Sequence, residues 1–268
     1  MESIKNMPNS WIRNLQVKYQ QKKWQDEQKH SESNYKCNEC RDRGYIIIQE
    51  ERTESVKFCK CREIELAKER LEKSGIADRV KNNTFKNYKI NNRTRENAKN
   101  VCINYLTEFD KEKCLLLQGQ VGSGKTHLAI ATCNKILEKY PVKYMSYTKD
   151  IHDLKFNMTD TEFYNKKISE YRNIAVLFID DLFKGFEKEK GDYSKARAEL
   201  RIMYDIINYR YDNKKAMIIT TELTTDQLLD LDEALASRII EMTNNFETGT
   251  KYRIELKGKE LNYRVYGL

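Results

Sequence analysis

The C-terminal two thirds of the chain alternate between short apolar runs and segments with a helical repeat. The apolar runs contain few polar residues, which is typical of strands buried on both faces of a parallel sheet. The segments between them carry apolar residues every three or four positions, which predicts amphipathic helices. The pattern therefore predicts an α/β fold, with a parallel sheet covered by helices. The predicted buried strands are 114–118, 142–147, 174–181 and 216–221.

Weaker patterns extend this prediction. Residues 149–170 form a polar helical segment, and residues 194–212 a helix with apolar positions three or four residues apart. The segments 251–256 and 261–266 alternate apolar and polar residues, which predicts two further strands near the end of the sequence.

The N-terminal third has a different organisation. Residues 10–30 predict a modest amphipathic helix, residues 44–58 a short hairpin, and residues 62–75 another helix. The segment 82–94 is polar and rich in Asn, so we interpret it as a linker. The chain is accordingly predicted to contain two domains, 1–90 and 91–268.

Composition excludes several classes of protein. Of the 268 residues, 39% are hydrophobic and 34% are charged. No apolar run approaches the ~20 residues that span a bilayer, and the N-terminus lacks the pattern of a signal peptide. We therefore expect a cytoplasmic protein without a membrane partner. The net charge of +8 lies mainly in residues 1–90. It permits contact with nucleic acid, but a solvated basic surface explains it equally well.

The stretch "GQVGSGKT" matches the phosphate-binding loop G-x-x-x-x-G-K-[ST] in full. It follows an apolar strand and opens an amphipathic helix, which is the context that this motif requires. Loop amides point at the phosphates, Lys125 reaches the β- and γ-phosphates, and the Thr126 hydroxyl ligates Mg²⁺. The predicted ATP-binding residues are Gly119, Gln120, Val121, Gly122, Ser123, Gly124, Lys125, Thr126 and His127.

Two acids end the apolar run at 174–181. A strand-terminal Asp commonly holds Mg²⁺ from the side opposite the loop hydroxyl, which assigns Asp180 as the second metal ligand. Asp181 follows directly and would orient the water that attacks the γ-phosphate. A helix or turn cap is the alternative explanation for Asp181.

Four of the seven cysteines are paired at the ends of the predicted hairpin. Zinc favours four thiolates in a tetrahedron, and a hairpin brings two such pairs together. The second pair is one residue shorter than the usual spacing. An iron–sulfur cluster and four unrelated thiols remain as alternatives. The predicted structural zinc ligands are Cys37, Cys40, Cys59 and Cys61.

With both motifs present, the chain resembles the DnaC/DnaI-like helicase loaders, an AAA+ group related to the initiator DnaA. The resemblance covers roughly residues 35–268 and is carried by "CNECRDRGYI", "CKC", "NNTFKNY", "GQVGSGKTHLA", "LFIDDLF", "IITTEL" and "ALASRI". It implies an AAA+ P-loop ATPase domain with a five-stranded parallel sheet, preceded by a small zinc domain of the Gram-positive bacterial or phage type.

The resemblance also implies a function. Members bind a hexameric replicative helicase through the N-terminal domain, while the ATPase domain binds ATP, self-associates and contacts single-stranded DNA. The expected cofactors are ATP, Mg²⁺ and Zn²⁺. A transposition helper ATPase of the IstB type is the main alternative. A zinc protein with a structural nucleotide and a small-molecule kinase are further alternatives, which the intact Mg²⁺ site and the missing lid disfavour.

The resemblance assigns roles to further residues. "SRI" places an arginine finger at Arg238, which would contact the γ-phosphate of a neighbouring subunit. The usual polar sensor is replaced by Glu222, so part of its role passes to Thr221. This departure and the short side chain of Asp181 imply slow hydrolysis. DNA contacts, with a solvated helix face as the alternative, are assigned to Lys149, Lys155, Lys166 and Lys167.

Overall fold

The computed structural model describes residues 35–50, 53–71, 77–186 and 197–266. The chain divides into two compact units, Met1–Leu66 and Ala67–Leu268. The helix predicted at residues 10–30 lies outside the described residues. Within the described part of the chain, no helix is long and apolar enough to cross a membrane.

The first unit contains the predicted hairpin. Strand β1 (Tyr45–Glu50) pairs antiparallel with β2 (Thr53–Phe58), and Tyr45 lies opposite Phe58. Helix α1 (Lys60–Leu71) begins two residues after β2 ends. The two cysteine pairs therefore flank a closed antiparallel ribbon, as the sequence predicts.

A five-stranded parallel sheet forms the centre of the second unit, which confirms the predicted fold class. The strand order is β4-β5-β6-β3-β7, so β6 separates β3 from β5. Every residue of β3 and β6 is buried, which explains why neither strand alternates polar and apolar residues. The strands are β3 (Cys114–Gly119), β4 (Val142–Ser146), β5 (Val176–Leu182), β6 (Met217–Thr221) and β7 (Arg253–Leu256).

Helices pack on both faces of this sheet. Successive strand residues point to opposite faces, so Ile179 and Ile219 belong to one apolar cluster, and Phe178 and Ile218 to the other. The helices are α2 (Ala77–Asn82), α3 (Arg93–Thr107), α4 (Lys125–Ile136), α5 (Tyr147–Phe156), α6 (Thr161–Asn173), α7 (Arg197–Asp212), α8 (Thr225–Leu231), α9 (Glu233–Met242) and α10 (Tyr263–Tyr266).

Two predicted elements differ in the structure. Residues 149–170 belong to two helices, because Asp160 starts α6 by accepting a hydrogen bond from the backbone N–H of Phe163. The strand predicted at 261–266 is wrong: a 3-10 turn (Lys259–Leu261) and α10 occupy this segment. Its polar–apolar alternation was misleading, since Tyr263 uses its N–H to bind the carbonyl of Gly122 rather than a neighbouring strand.

The segment 77–90 packs on α4, the helix that follows the phosphate-binding loop. The side chain of Asn134 donates to the carbonyl of Val80, and His127 bonds to the carbonyl of Thr84. These residues therefore lie in the second compact unit. The division into two domains at residue 90 remains a prediction.

Candidate functional site

The phosphate-binding loop joins β3 to α4. Gly119 and Gly124 have φ values of 128° and 95°, in the left-handed region that favours glycine. A Cβ on Gly119 would lie 2.1 Å from the carbonyl oxygen of Leu256, and one on Gly124 would lie 3.0 Å from the ring of Tyr88. Both positions therefore require glycine, because a Cβ would crowd the backbone of Leu256 at Gly119 and the ring of Tyr88 at Gly124.

Lys125 lies at the base of the loop. Its Nζ donates to the carbonyl oxygens of Gly119 at 2.7 Å and Gln120 at 2.8 Å. Burial lowers the pKa of this ammonium, while nearby carboxylates, led by Glu222, oppose the effect. The Lys125 ammonium is thus held at the base of the loop, where it would contact a phosphate bound by the loop.

The predicted Mg²⁺ ligands are in direct contact. Thr126 Oγ1 donates to Asp180 Oδ1 over 2.9 Å, and Tyr144 donates to Asp180 Oδ2 over 3.2 Å. Burial raises the pKa of the Asp180 carboxyl, so a bound cation would stabilise its ionised form. A hydroxyl and a carboxylate are the hard oxygen ligands that Mg²⁺ prefers. The residues present therefore fit the metal.

Asp181 is oriented by its backbone. Its φ is 59°, an unusual value for a residue other than glycine. Its N–H donates to Thr220 Oγ1 over 2.8 Å. The Asp181 carboxylate forms an ion pair with Lys184, whose Nζ lies 2.6 Å from Oδ2 and 3.6 Å from Glu222 Oε1. Sequence reasoning missed both Thr220 and Lys184.

Lys125, Thr126 and the charged groups at the end of β5 line one cleft of about 650 Å³, a volume typical of small-ligand sites. Two flanking segments close it, and sequence reasoning assigned neither to the site. Tyr88 lies on one side, where His127 packs edge-on against its ring. Burial lowers the pKa of His127, so the neutral ring donates from Nε2 to the carbonyl of Thr84 over 2.9 Å.

The other flanking segment, residues 258–263, is bonded to the phosphate-binding loop. Gln120 Nε2 donates to the carbonyl of Gly258 over 2.6 Å, and the N–H of Gly258 donates to Gln120 Oε1 over 3.1 Å. The N–H of Tyr263 donates to the carbonyl of Gly122 over 2.9 Å. The loop is therefore fixed at two points by this segment.

The four predicted zinc ligands meet in the first unit. Their sulfur atoms all lie within 4.8 Å of one another, with 3.7 Å between Cys37 and Cys59 and 3.3 Å between Cys40 and Cys61. Tetrahedral zinc with Zn–S bonds of about 2.3 Å separates its sulfurs by about 3.8 Å. The geometry and the four soft ligands therefore fit structural zinc.

The local backbone explains how the cysteines come together. Cys37 donates its N–H to Asp42 Oδ1 over 2.8 Å, and Gly44 donates to Cys40 Sγ over 3.3 Å. A backbone hydrogen bond from Cys40 lowers the pKa of Cys37 to about 7, whereas burial raises the pKa of Cys59 to about 11. A bound metal would favour the thiolate form of these ligands.

Comparison with known proteins shows the family. The sequence pattern of the family described as IstB-like ATP binding protein matches residues 62–249. The chain belongs to this IstB-like ATP-binding family. The phage-like element PBSX protein XkdC of Bacillus subtilis strain 168 is 32% identical over 250 residues, which make up 88% of this chain and 88% of that protein.

Solved structures extend the relationship. A DnaC helicase loader is 27% identical with a TM-score of 0.54, covering 68% of this chain and 99% of that one. A replication initiator DnaA bound to AMPPCP and single-stranded DNA is 21% identical with a TM-score of 0.50, covering 67% and 51%. The second likeness shows the fold alone. Together these matches confirm the resemblance to DnaC/DnaI-like loaders and the AAA+ ATPase fold.

Two residues predicted for this IstB-like site lie outside the cleft. Thr221 Oγ1 donates to the carbonyl of Leu182 over 2.7 Å, so its hydroxyl is used within the fold, and Glu222 lines the cleft instead. Arg238, on α9, donates to the carbonyl of Ala234 over 2.6 Å and lies against the rings of Tyr204 and Tyr211. Within its own chain it does not reach the nucleotide cleft.

The four predicted DNA-binding lysines lie on α5 and α6. Lys149 and Lys166 are exposed, and Lys167 is half-buried. Lys155 forms an ion pair with Glu199 over 2.8 Å. Of these four lysines, Lys149 and Lys166 are thus the two that are exposed and form no ion pair with another described residue.

Proposed function

We propose that the chain is an ATP-controlled loader that delivers a replicative DNA helicase to single-stranded DNA. The observation that carries the proposal is the presence, in one chain, of a complete nucleotide cleft and a separate four-cysteine cluster. The likeness to a DnaC helicase loader over 99% of that chain supports this choice of partner.

Each cleft residue has a distinct task in the proposed reaction. Lys125 binds the β- and γ-phosphates, which replace its present carbonyl partners. Thr126 and Asp180 would hold Mg²⁺, which neutralises charge on the transferring phosphoryl group. Asp181 orients the attacking water and accepts its proton. Hydrolysis is expected to be slow, since Asp181 is short and already engaged by Lys184.

The two parts of the chain divide the work in this proposal. Residues 1–90 dock on the helicase, and zinc would hold the fold of the cysteine-bearing unit within them. Residues 91–268 carry the ATP switch and self-associate, and Lys149 and Lys166 contact the phosphates of single-stranded DNA. Phosphate contacts of this type are electrostatic, so DNA binding should weaken steeply with salt.

A transposition helper ATPase is the second candidate, because the family description itself names IstB. It shares the ATPase core but predicts a transposase as partner. A cysteine-bearing N-terminal unit is not an expected feature of that group, so the cluster at Cys37, Cys40, Cys59 and Cys61 favours the loader.

Binding experiments separate the two candidates. The full chain should co-purify with a hexameric replicative helicase and, with ATP, increase the amount of helicase bound to circular single-stranded DNA. Lys125→Ala should keep helicase binding but lose the ATP-dependent transfer to DNA. Lys135→Ala, an exposed lysine on the same helix, is the control and should behave as wild type. Binding to a transposase but to no helicase would refute the loader proposal.

A further inference from the structure

The cleft contains a second lysine, three residues after Asp181. Lys184 lies on the turn that follows β5 and lines the same cleft as Lys125. Its Nζ is 2.6 Å from Asp181 Oδ2 and 3.6 Å from Glu222 Oε1. The side chain is 42% exposed, so it retains access to solvent and to an incoming ligand.

The turn that carries Lys184 is firmly held. Asp181 and Phe183 have φ values of 59° and 57°, and Phe183 is buried against the rings of Tyr147 and Phe186. The N–H of Lys184 donates to the carbonyl of Asp181 over 3.1 Å. Strained backbone of this kind persists where the surrounding structure fixes it, often at functional sites. The position of the lysine beside the carboxylate is therefore built into the fold.

The charges around the cleft favour a cation at this point. The carboxylates of Asp180, Asp181 and Glu222 line the cleft. Its described lining also holds the cations Lys125, Lys184, Lys89, Arg79, Arg95 and Arg264, and of these Lys184 forms ion pairs with Asp181 and Glu222. A triphosphate adds further negative charge next to these acids. Lys125 lies under the loop, so Lys184 is the cation nearest to Asp181. An ammonium has three N–H donors, and the bond to Asp181 leaves two for another acceptor.

We propose that Lys184 recognises the terminal phosphate of ATP and so distinguishes ATP from ADP. The water that Asp181 orients would lie between its carboxylate and the γ-phosphorus. A group bonded to that carboxylate is therefore within reach of a γ-phosphate oxygen. When ATP binds, Lys184 keeps its hydrogen bond to Asp181. Its longer contact with Glu222 is replaced by a hydrogen bond to the γ-phosphate. The inference rests on the proposed nucleotide site and adds a residue that selects between its ligands.

Nucleotide affinities test this without relying on turnover. Full-length Lys184→Met is titrated calorimetrically with the non-hydrolysable analogue AMPPCP and with ADP, both with Mg²⁺. The analogue should bind about tenfold or more weakly than to wild type, the loss expected for one charge-assisted hydrogen bond. The Kd for ADP should stay within about twofold, since ADP lacks the recognised phosphate. Lys184→Arg should retain most of the preference because it keeps the cation.

Lys135→Met is the matched control. Lys135 forms an ion pair with Glu138 at the same spacing of three residues, but on the exposed side of α4. It should leave both affinities unchanged. Lys184→Gln repeats the test with a second neutral side chain should Lys184→Met fold poorly. Equal weakening of AMPPCP and ADP, or no weakening of either, would show that Lys184 is only an ion-pair partner.

A further variant separates this inference from the nucleotide site itself. Lys125→Ala should abolish tight binding of both nucleotides. If Lys125→Ala binds them like wild type, the site assignment fails and the role of Lys184 fails with it. If Lys125→Ala loses binding while Lys184→Met keeps the full preference for AMPPCP, only the role of Lys184 is wrong.

Discussion

At the scale of single residues, Thr220 links the two carboxylates at the end of β5. Its hydroxyl donates to Asp180 Oδ1 over 2.7 Å and accepts the N–H of Asp181 over 2.8 Å. One buried side chain thereby fixes both the proposed metal ligand and the proposed base. Preorganised groups of this kind avoid reorganisation during the reaction.

Asp181→Asn should bind ATP as wild type does but hydrolyse it roughly 10²–10⁴-fold more slowly, the range expected when a general base is removed. The amide cannot accept a proton from water. Equilibrium binding of ATP and single-turnover hydrolysis measure the two expected effects. Asp230→Asn, an exposed acid on α8, is the control. Wild-type hydrolysis by Asp181→Asn would remove Asp181 from the mechanism.

Sequence motifs predicted the residues that recur at fixed spacings. Lys125, Thr126 and Asp180 meet as the loop motif and the strand-terminal acid indicate. Lys184 was missed because a lysine three residues after an acid is common on any protein surface. Lys184 reaches the cleft because of the turn that follows β5. The conformation of that turn cannot be read from the spacing of residues in the sequence.

At the scale of secondary-structure elements, the buried side chain of Arg210 joins α7 to the end of α6. Its guanidinium donates to five carbonyl oxygens and, within the described part of the chain, forms no ion pair with a carboxylate. The carbonyls at a helix end lack partners within the helix, and Arg210 supplies donors to them. The accepting residues are Tyr171, Arg172, Ile174, Ala175 and Ala216.

Arg210→Met should lower the free energy of unfolding by about 3–5 kcal/mol, because buried carbonyls lose their donors. Urea denaturation followed by circular dichroism measures the change. Arg201→Met, at an exposed position of the same helix, should cost less than about 0.5 kcal/mol. Equal stability of the two variants would contradict the structural role assigned to Arg210.

Element boundaries were the least predictable part of the fold. Strands β3 and β6 were found because burial on both faces leaves an unbroken apolar run, whereas β7 was found from its alternation. The segment 261–266 was misassigned because alternation alone does not reveal a partner, and its backbone is bonded to the phosphate-binding loop. The division of 149–170 depends on one cap at Asp160.

At the scale of the whole molecule, Arg238 lies outside the nucleotide cleft of its own chain. It lies on α9 beside Tyr211 and Glu241, away from the cleft of its own chain. An arginine finger acts on the nucleotide of a neighbouring subunit and accelerates hydrolysis roughly 10³–10⁵-fold. The role of Arg238 in trans remains a prediction.

Arg238→Ala should bind ATP normally and lose hydrolysis that depends on protein concentration. Mixing it with Lys125→Ala should restore part of this activity. The Arg238→Ala protein supplies an intact cleft, and the Lys125→Ala protein supplies an intact arginine finger. Steady-state rates across mixing ratios measure the rescue. Arg201→Met mixed with Lys125→Ala gives the baseline for an unrelated arginine. Absence of rescue at every ratio would argue against action in trans.

The first unit should depend on metal. Purified protein should contain about one zinc per chain, and Cys37→Ser with Cys40→Ser should remove it. Metal binding in such modules contributes about 10–16 kcal/mol of apparent folding free energy, so chelation should unfold residues 35–66 while the parallel sheet persists. Elemental analysis and protease resistance measure the two effects. Cys102→Ala, a buried cysteine outside the cluster, should keep the metal.

The bonds between Gln120 and Gly258 also affect how the protein is made. They join residues 138 positions apart, and the neighbouring pair β3 and β7 spans a similar separation. At about 5–20 residues per second, the ribosome needs roughly 7–28 s to travel the 138 residues from the loop to its partner. During that interval the nascent loop lacks its hydrogen bonds to Gly258. We therefore expect ATP to stabilise the domain fully only after synthesis has passed residue 258.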